Sequence, residues 1–348
     1  MTNSVVSRPT ERQKKIIITW LITGAVMVFI MVMIGGITRL THSGLSMVDW
    51  NLFMGSIPPM NEADWQDKFD QYKQFPEFQE LNYQFTLEDF KSIFWWEFIH
   101  RDFGRLIGLV FLFPFLFFWW KKWLNPVLMR QLLLAFFLGA FQAFLGWFMV
   151  KSGLSQEPRV SHYRLAAHLI TAFLTCGWLI WVVAELKWPE RGKIAFPGIR
   201  KGIVWLIVLT LIQILYGAFV AGLRAGWVHN TFPLMDGQLI ADSVWLGDSL
   251  LESFLQGKSG VQFVHRTLAM ILFAGVLVLY FKAMRLPIDK LQVRAIRLTG
   301  LIVMIQFLLG VVTLLLQVPI ALGILHQLGA LLLLLTLVFG LHRFRSPS

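Results

Sequence analysis

The sequence is poor in charged residues and in cysteine, and both shortages restrict the class of protein. Only 15% of its 348 residues are Asp, Glu, Lys or Arg, whereas 56% are apolar. In soluble domains roughly a quarter of all residues are charged. The single cysteine, Cys176, cannot form an intramolecular disulfide and leaves zinc and iron–sulfur sites without their thiolate ligands. We therefore expect a membrane protein without a thiol-based centre.

Long apolar runs recur along the chain and predict eight transmembrane helices. The predicted spans cover about residues 16–38, 95–120, 128–150, 163–184, 202–223, 262–281, 297–317 and 320–341. The first 15 residues are polar and lack an apolar stretch, so we expect no cleaved signal peptide. The predicted fold class is an all-α polytopic membrane protein.

The net charge of +11 could indicate binding to nucleic acid, but its distribution favours a membrane topology. Both terminal segments and alternate loops hold 19 Lys and Arg in total. The two long loops, 42–93 and 225–260, carry nine acids against three lysines and four acids against one lysine. The positive-inside rule then predicts cytoplasmic N and C termini, with both long loops outside. We expect no nucleic acid partner, and we expect these aromatic-rich loops to fold over the membrane face.

The eight spans form two sequence repeats of four. The matching segments are Glu97–Arg101 with Gln262–Arg266, Leu165–His168 with Gly323–His326, and the pair Gln142 and Gly146 with the pair Gln306 and Gly310. An even number of spans gives both repeats the same orientation, with a symmetry axis along the membrane normal. We predict two pseudo-symmetric four-helix bundles, residues 1–192 and 193–348.

Four histidines lie inside predicted spans, where an ionisable residue is costly and needs a reason. They are His100, His168, His265 and His326, two in each repeat and all near the outer side. A haem iron takes two axial ligands from opposite sides, and imidazole suits iron. The pattern therefore predicts one haem site per repeat. Zinc is less favoured because acidic and thiol ligands are lacking, and the simpler alternative is that each histidine is a packing residue or part of a proton path.

The two repeats differ in one chemically important position. Glu97 lies one helical turn before His100, whereas Gln262 takes that place before His265. A carboxylate can accept protons or stabilise developing positive charge, so the N-terminal site is predicted to be catalytic. The alternative is a structural ion pair between Glu97 and Arg101 or Arg105. Among the arginines at the same depth, Arg224 and Arg266 are candidates for binding haem propionates, although arginines at this depth also reach for lipid headgroups.

At these residues the sequence resembles the haem A synthase family, in particular its longer, mitochondrial-type branch. The stretches that carry the resemblance are Gly35–Leu40, Gly44–Trp50, Phe75–Phe78, Leu145–Leu154, Pro158–Val160, Tyr163–His168, Gly217–Leu223 and Gln262–Arg266. Together they cover nearly the whole chain, and their combination is specific although no single stretch is.

The resemblance implies an oxidoreductase that converts the C8 methyl of haem O into the formyl group of haem A, by successive hydroxylations and loss of water. It implies that His265 and His326 ligate a haem b cofactor, and that His100, His168 and Glu97 belong to the substrate site. The implied partners are haem O synthase, assembly factors of terminal oxidases and membrane lipid, with a homo-oligomer left open. The implied location is a bacterial inner membrane or, alternatively, the mitochondrial inner membrane.

Two other classes remain open from the sequence. A b-type cytochrome that carries electrons would also use histidine pairs, but commonly at two depths, and it gives Glu97 no task. A transporter would also have repeated bundles. Haem content separates the transporter from the other two, because a transporter should bind no haem.

Overall fold

The computed structural model describes residues 9–48, 55–154, 159–190 and 194–345. Within these residues eight helices are long and apolar enough to cross a membrane, which confirms the all-α, eight-span prediction. They are α1 (Glu11–Leu40), α2 (Leu87–Trp120), α3 (Pro126–Gly153), α4 (His162–Lys187), α5 (Pro197–Gly222), α6 (Lys258–Met284), α7 (Lys290–Leu315) and α8 (Ile320–Arg343).

Four of the eight helices, α1, α2, α3 and α7, begin at a side-chain cap that the sequence already carries. Thr10 and Gln13 form a capping box at the start of α1. Asp289 caps α7 in the same way. Asn125 caps α3, whose first residue is Pro126. Such caps satisfy backbone N–H groups that have no partner inside the helix, so each helix starts where polar sequence gives way to apolar sequence.

The packing of the helices has an internal symmetry. Helix α1 packs against α2, α4 and α8, and α5 packs against the corresponding helices α6, α8 and α4. Helix α2 also packs against α3, and α6 correspondingly packs against α7. In the same way α3 packs against α4 and α7 packs against α8, and α4 packs against α8. Each of these extensive pairs maps onto another when the first four helices are exchanged with the last four. The central contact is α4 against α8, where Phe173, Leu331 and Leu334 are fully buried.

Both long loops fold at one end of the bundle, which we call the loop face. The first loop contains the helix Glu62–Tyr72 and a π-helical turn, Glu77–Leu81. Trp65 and Phe69 of this helix pack against Phe90 and Phe94 at the start of α2. The first loop therefore has an aromatic core of its own, as its composition predicted.

The second loop is held by a buried histidine. The ring of His229 lies 2.6 Å from Asp236 at Nδ1, and its Nε2 lies 3.1 Å from the Ser243 hydroxyl and 3.0 Å from that of Ser259. Ser259 belongs to the first turn of α6, so these contacts tie the loop to that helix. Nothing in the sequence pattern singled out His229, and in the fold it is a structural residue.

The helix that contains the second span starts eight residues before the predicted span. Helix α2 begins at Leu87, after a capping box formed by Thr86 and Asp89, and its first turns pack against the loop helix. Hydropathy alone misses this segment because it is stabilised by the loop and not by lipid. As a result, His100 lies 13 residues into its helix, whereas the other three histidines lie within two turns of theirs.

Candidate active site

All four span histidines line one cavity of about 1230 Å³. Its wall is contributed by both halves of the chain and is mostly apolar. A pocket for one small ligand usually measures about 300–1,000 Å³, so this cavity has room for more than one. The charged residues at its wall include Arg39, Glu77, Glu97, Arg101, Arg224 and Arg266. The structure thus brings the four predicted histidines together with Glu97, Arg224 and Arg266 around one common space.

Each histidine lies against a glycine on the preceding transmembrane helix. A Cβ atom on Gly35 would lie 3.1 Å from Nε2 of His100, and a Cβ on Gly217 would lie 3.2 Å from Cε1 of His265. The fourth helix of each half repeats the arrangement: the corresponding distances to Cε1 are 3.4 Å for Gly146 and His168, and 2.8 Å for Gly310 and His326. A side chain at Gly35, Gly217 or Gly310 would press against the imidazole, whereas at Gly146 it would come into ordinary contact.

The C-terminal histidines form a close, oriented pair. The ring centroids of His265 and His326 are 6.3 Å apart and the ring planes cross at 83°. The amide of Gln213 lies 3.1 Å from Nδ1 of His265 and donates to its backbone carbonyl at 3.0 Å. The amide of Gln306 likewise lies 3.1 Å from Nδ1 of His326 and donates to its backbone carbonyl at 2.9 Å. The two rings are therefore held by matched contacts on α5 and α7.

These contacts agree with the chemistry of a bis-histidine metal centre. Oε1 of Gln213 and Oε1 of Gln306 are buried without a hydrogen-bond partner, although both residues lie in the described part of the chain. A histidine that binds a metal through one ring nitrogen usually donates the proton on the other nitrogen to an acceptor. The unused oxygens belong to the same amides whose nitrogens contact the two rings. Among the described residues no group of three or more His, Cys, Asp or Glu could hold a metal ion, so the donors occur as histidine pairs.

The N-terminal pair is less constrained. His100 and His168, both described, make no ring contact with each other comparable to that of the C-terminal pair. Gln142 donates to the backbone carbonyl of His168 at 3.3 Å, but Nδ1 of His168 is buried without a partner. For the ring of His100, the described residues supply no hydrogen bond. The two sites thus share their glycine supports and differ in how firmly the rings are held.

Glu97 is buried at the wall of the cavity and is fully engaged. Its Oε1 accepts a hydrogen bond of 2.5 Å from Arg101, and its Oε2 accepts from the Ser46 hydroxyl at 2.8 Å and from the backbone N–H of Met47 at 2.7 Å. The ion pair with Arg101, the structural alternative predicted from the sequence, is therefore present. The same contacts fix the carboxylate one turn from His100, at the wall of the cavity.

The candidate arginines for propionate binding differ in whether a buried guanidinium nitrogen remains without a partner. Arg266 donates through Nη2 to the carbonyls of the second loop, at 2.9 Å to Thr231, while its Nη1 is buried without a partner. Arg224 contacts Nδ1 of His42 at 3.1 Å. Arg39 donates to Ala221 at 2.8 Å and keeps a buried, unpaired Nε. The free donors of Arg266 and Arg39 at the cavity wall suit an anionic group such as a carboxylate.

Two residues at this site were missed by the sequence analysis. Glu77 is buried in the first loop and lines the cavity, and burial together with the nearby Glu97 raises its pKa to about 8. His42 also lines the cavity, and burial beside Arg224 and Arg39 lowers its pKa to about 4. Both residues lie in loops, where polar residues are common and do not indicate a functional site. For Glu77, only the surrounding stretch Phe75–Phe78 could have indicated a role.

A pair of glycines on α1 separates the two histidine sites. Gly35 faces His100, and a Cβ on the next residue, Gly36, would lie 3.5 Å from the amide of Gln327. Gln327 follows His326 on α8 and donates to the backbone carbonyl of Val32 at 2.9 Å. Adjacent residues of α1 therefore contact the N-terminal site and the helix of the C-terminal site.

Comparisons with known proteins agree with this architecture. Residues 18–338 match a family described as Cytochrome oxidase assembly protein. A protein of Flavobacterium johnsoniae named Heme A synthase is 48% identical over 337 residues, which is 96% of this chain and 99% of that protein. Heme A synthases of Bradyrhizobium diazoefficiens and Nitrosospira multiformis are 43% and 42% identical, over 99% and 95% of this chain and 95% and 94% of those proteins. The chain therefore belongs to the cytochrome oxidase assembly protein family.

Proposed function

We propose that this protein is a haem A synthase of a bacterial inner membrane. It is an oxidoreductase that converts the C8 methyl of haem O into the formyl group of haem A, the haem used by terminal oxidases. The relatives that carry this name are bacterial and match nearly the full chain, and eight apolar helices suit a multi-pass membrane protein. The observation that carries the proposal is one cavity containing two histidine pairs, of which only one has a carboxylate beside it.

We assign the two repeats different tasks. Residues 1–192 hold the substrate haem and residues 193–348 hold a haem cofactor. The exchange symmetry of the packing supports this division, as do the four matched contacts between histidine and glycine. The boundary near residue 192 falls outside the described residues, between Lys187, which ends α4, and Pro197, which begins α5.

The cofactor would be haem b, held through its iron by His265 and His326. A haem with two histidine ligands supplies one-electron chemistry, and its potential is set by its ligands and their hydrogen bonds. Gln213 and Gln306 orient the two rings, and the apolar wall keeps water away from them. The free guanidinium nitrogen of Arg266 would pair with a propionate of this haem, and Arg224 lies in the same wall.

The substrate site is formed by His100, His168 and Glu97. The two histidines would hold the iron of haem O, which fixes the ring and therefore the methyl group in one orientation. Glu97 presents a negative charge in an apolar wall, where it would stabilise positive charge that develops at the reacting carbon. Its hydrogen bonds from Ser46 and Met47 keep it in place during the reaction. Gln262, its counterpart in the other repeat, has no charge to offer.

The expected partners follow from the substrate and the product of this reaction. Haem O is the substrate, so a haem O synthase must supply it within the same membrane. The product must reach a terminal oxidase, which fits a family described as cytochrome oxidase assembly proteins. We expect assembly factors of the oxidase to receive it, and a homo-oligomer is compatible with the exposed apolar faces of α3 and α7.

Pigment analysis tests the proposal. The protein is produced in cells that make haem O but no haem A, and the extracted haems are separated by chromatography. We expect haem A to appear only with this chain, and haem b to co-purify with it. A protein without bound haem would indicate the transporter class. Bound haem b without any haem A would indicate an electron-carrying cytochrome.

A further inference from the structure

One position on the helices that carry the four glycines differs at the His100 site from the other three sites. Four residues before each supporting glycine, on the same helix, stand Gln142, Gln213 and Gln306 in three cases and Met31 in the fourth. Since four residues make about one helical turn, these side chains all lie on the histidine-facing side of their helices. Gln213 and Gln306 contact both the ring and the backbone carbonyl of their histidine, and Gln142 donates to the backbone carbonyl of His168.

Met31 cannot make the contact that the glutamines make. A methionine side chain has no N–H to donate, and its sulfur is only a weak acceptor. Met31 lines the cavity, and its Cε would lie 3.3 Å from a Cβ on Gly104, one turn after His100. It therefore lies beside the turn of α2 that follows His100, and it gives the His100 ring no hydrogen bond. As a result, Gly35 supports the ring from one side while the ring nitrogens receive nothing from α1.

The missing contact falls at the site where haem must be exchanged. A cofactor has to stay bound, so both of its histidines benefit from fixed rings. A substrate has to enter and its product has to leave, so at least one of its ligands must release the iron in every cycle. Hydrogen bonds to metal-binding histidines commonly change affinity by about 10–100-fold. A single missing glutamine is therefore large enough to distinguish a retained haem from an exchanged one.

We propose that Met31 makes His100 the exchangeable ligand of the substrate site, so that haem O enters and haem A leaves on the His100 side. This inference rests on the proposed function, because it takes the N-terminal haem to be substrate. His168 remains the anchoring ligand, since α3 places Gly146 against its ring and ties its backbone carbonyl through Gln142.

Exchanging the two side chains between repeats tests the proposal. Met31→Gln adds the amide to the substrate site, and Gln213→Met removes it from the cofactor site. Met31→Leu is the matched control, because it keeps an apolar side chain of similar size without an amide. For each purified protein, three properties are measured: haem per chain, the low-spin fraction in the absorption spectrum, and the rate at which haem passes to excess apomyoglobin.

We expect Met31→Gln to retain more than one haem per chain, with a larger low-spin fraction, and to lose the second haem about tenfold more slowly than wild type. Gln213→Met should lose haem b about tenfold faster, and Met31→Leu should match wild type. If Met31→Gln fails to assemble, Gln213→Met decides whether the glutamine controls haem release.

Three results would overturn the proposal. The first is equal haem release from Met31→Gln and Met31→Leu, and the second is a wild-type rate of haem b release from Gln213→Met. The third is loss of substrate haem in Met31→Leu, which would make the sulfur itself a ligand. Formation of haem A by the wild-type protein, measured in the same preparations, separates these outcomes from a failure of the proposed function.

Discussion

A Cβ atom on Gly310 would lie 2.8 Å from Cε1 of His326, closer than real Cβ atoms approach other atoms in proteins. The substitution Gly310→Ala should therefore displace the imidazole and weaken the cofactor site. We expect it to lower co-purifying haem b towards the level of His326→Ala, with a loss of affinity of about tenfold or more. Absorption spectra of the purified proteins give the haem content.

Gly198→Ala is the control for this substitution. Gly198 lies in the first turn of α5, and a Cβ there would meet no other atom within 4 Å. Alanine is also the better helix former, so this variant should fold normally and keep its haem b. Full retention of low-spin haem b in both Gly310→Ala and His326→Ala would remove His326 from the ligand set.

Glu97→Gln tests the role of the buried carboxylate. The substitution removes the charge and hardly changes the shape, so the protein should fold and keep haem b at His265 and His326. Removing a group that transfers protons or stabilises charge commonly costs about 10²–10⁴ in rate. We expect little haem A and an accumulation of haem O or a partly oxidised haem in the extracted pigments.

An exposed acid on the same helix provides the comparison for Glu97. Glu88 lies in the first turn of α2, with a side chain that is 79% exposed, so Glu88→Gln removes a charge without touching the cavity. It should make normal amounts of haem A. Normal haem A in Glu97→Gln at matched expression would show that the carboxylate serves only to hold Arg101 and the first loop.

The raised pKa of Glu77 predicts that the stability of the folded protein depends on pH. Burial and the neighbouring Glu97 raise its pKa from 4.5 to about 8, against the opposing effects of Tyr72, Arg224 and Arg39. Between these values the folded protein holds a proton that the unfolded chain has lost, so stability falls as the pH rises from about 4.5 to 8. Above pH 8 this contribution no longer changes.

Glu77→Gln should remove this dependence. In detergent, the midpoint of thermal unfolding of the wild type should fall further between pH 5 and pH 9 than that of the variant. The difference corresponds to on the order of a few kcal/mol, since one unit of pKa is about 1.4 kcal/mol. Parallel curves for the two proteins would mean that Glu77 is ionised at neutral pH or that its surroundings relax.

The orientation of the chain is predicted by its loop charges. Reporter domains fused after residues 125 and 192 should be cytoplasmic, and those fused near residues 70 and 245 should be external, because 19 Lys and Arg lie on one side. An external signal after residue 192 would contradict the two-repeat arrangement, since four spans must return the chain to its starting side.

Hydropathy and repeats were enough to predict the eight spans and the four histidines, because both depend on local patterns of residue type. The sequence also showed the difference between Glu97 and Gln262. It did not show that Glu77 reaches the cavity, because a loop residue acquires its surroundings only from tertiary packing. The early start of α2 was hidden for the same reason. The contrast between Met31 and Gln213 was present in the sequence, but its meaning required the contacts of the glutamines.

At the paired glycines of α1, a single helix lies between the ring of His100 and Gln327, the neighbour of His326. Gly35 is in contact with His100, while Gly36 and Val32 are in contact with Gln327, the neighbour of His326. A displacement of the His100 ring towards α1 would meet backbone and not a side chain, on the helix that also accepts the hydrogen bond from Gln327. Under the proposed function, haem bound at one histidine pair would then affect how firmly the other pair binds, and such a linkage is reciprocal.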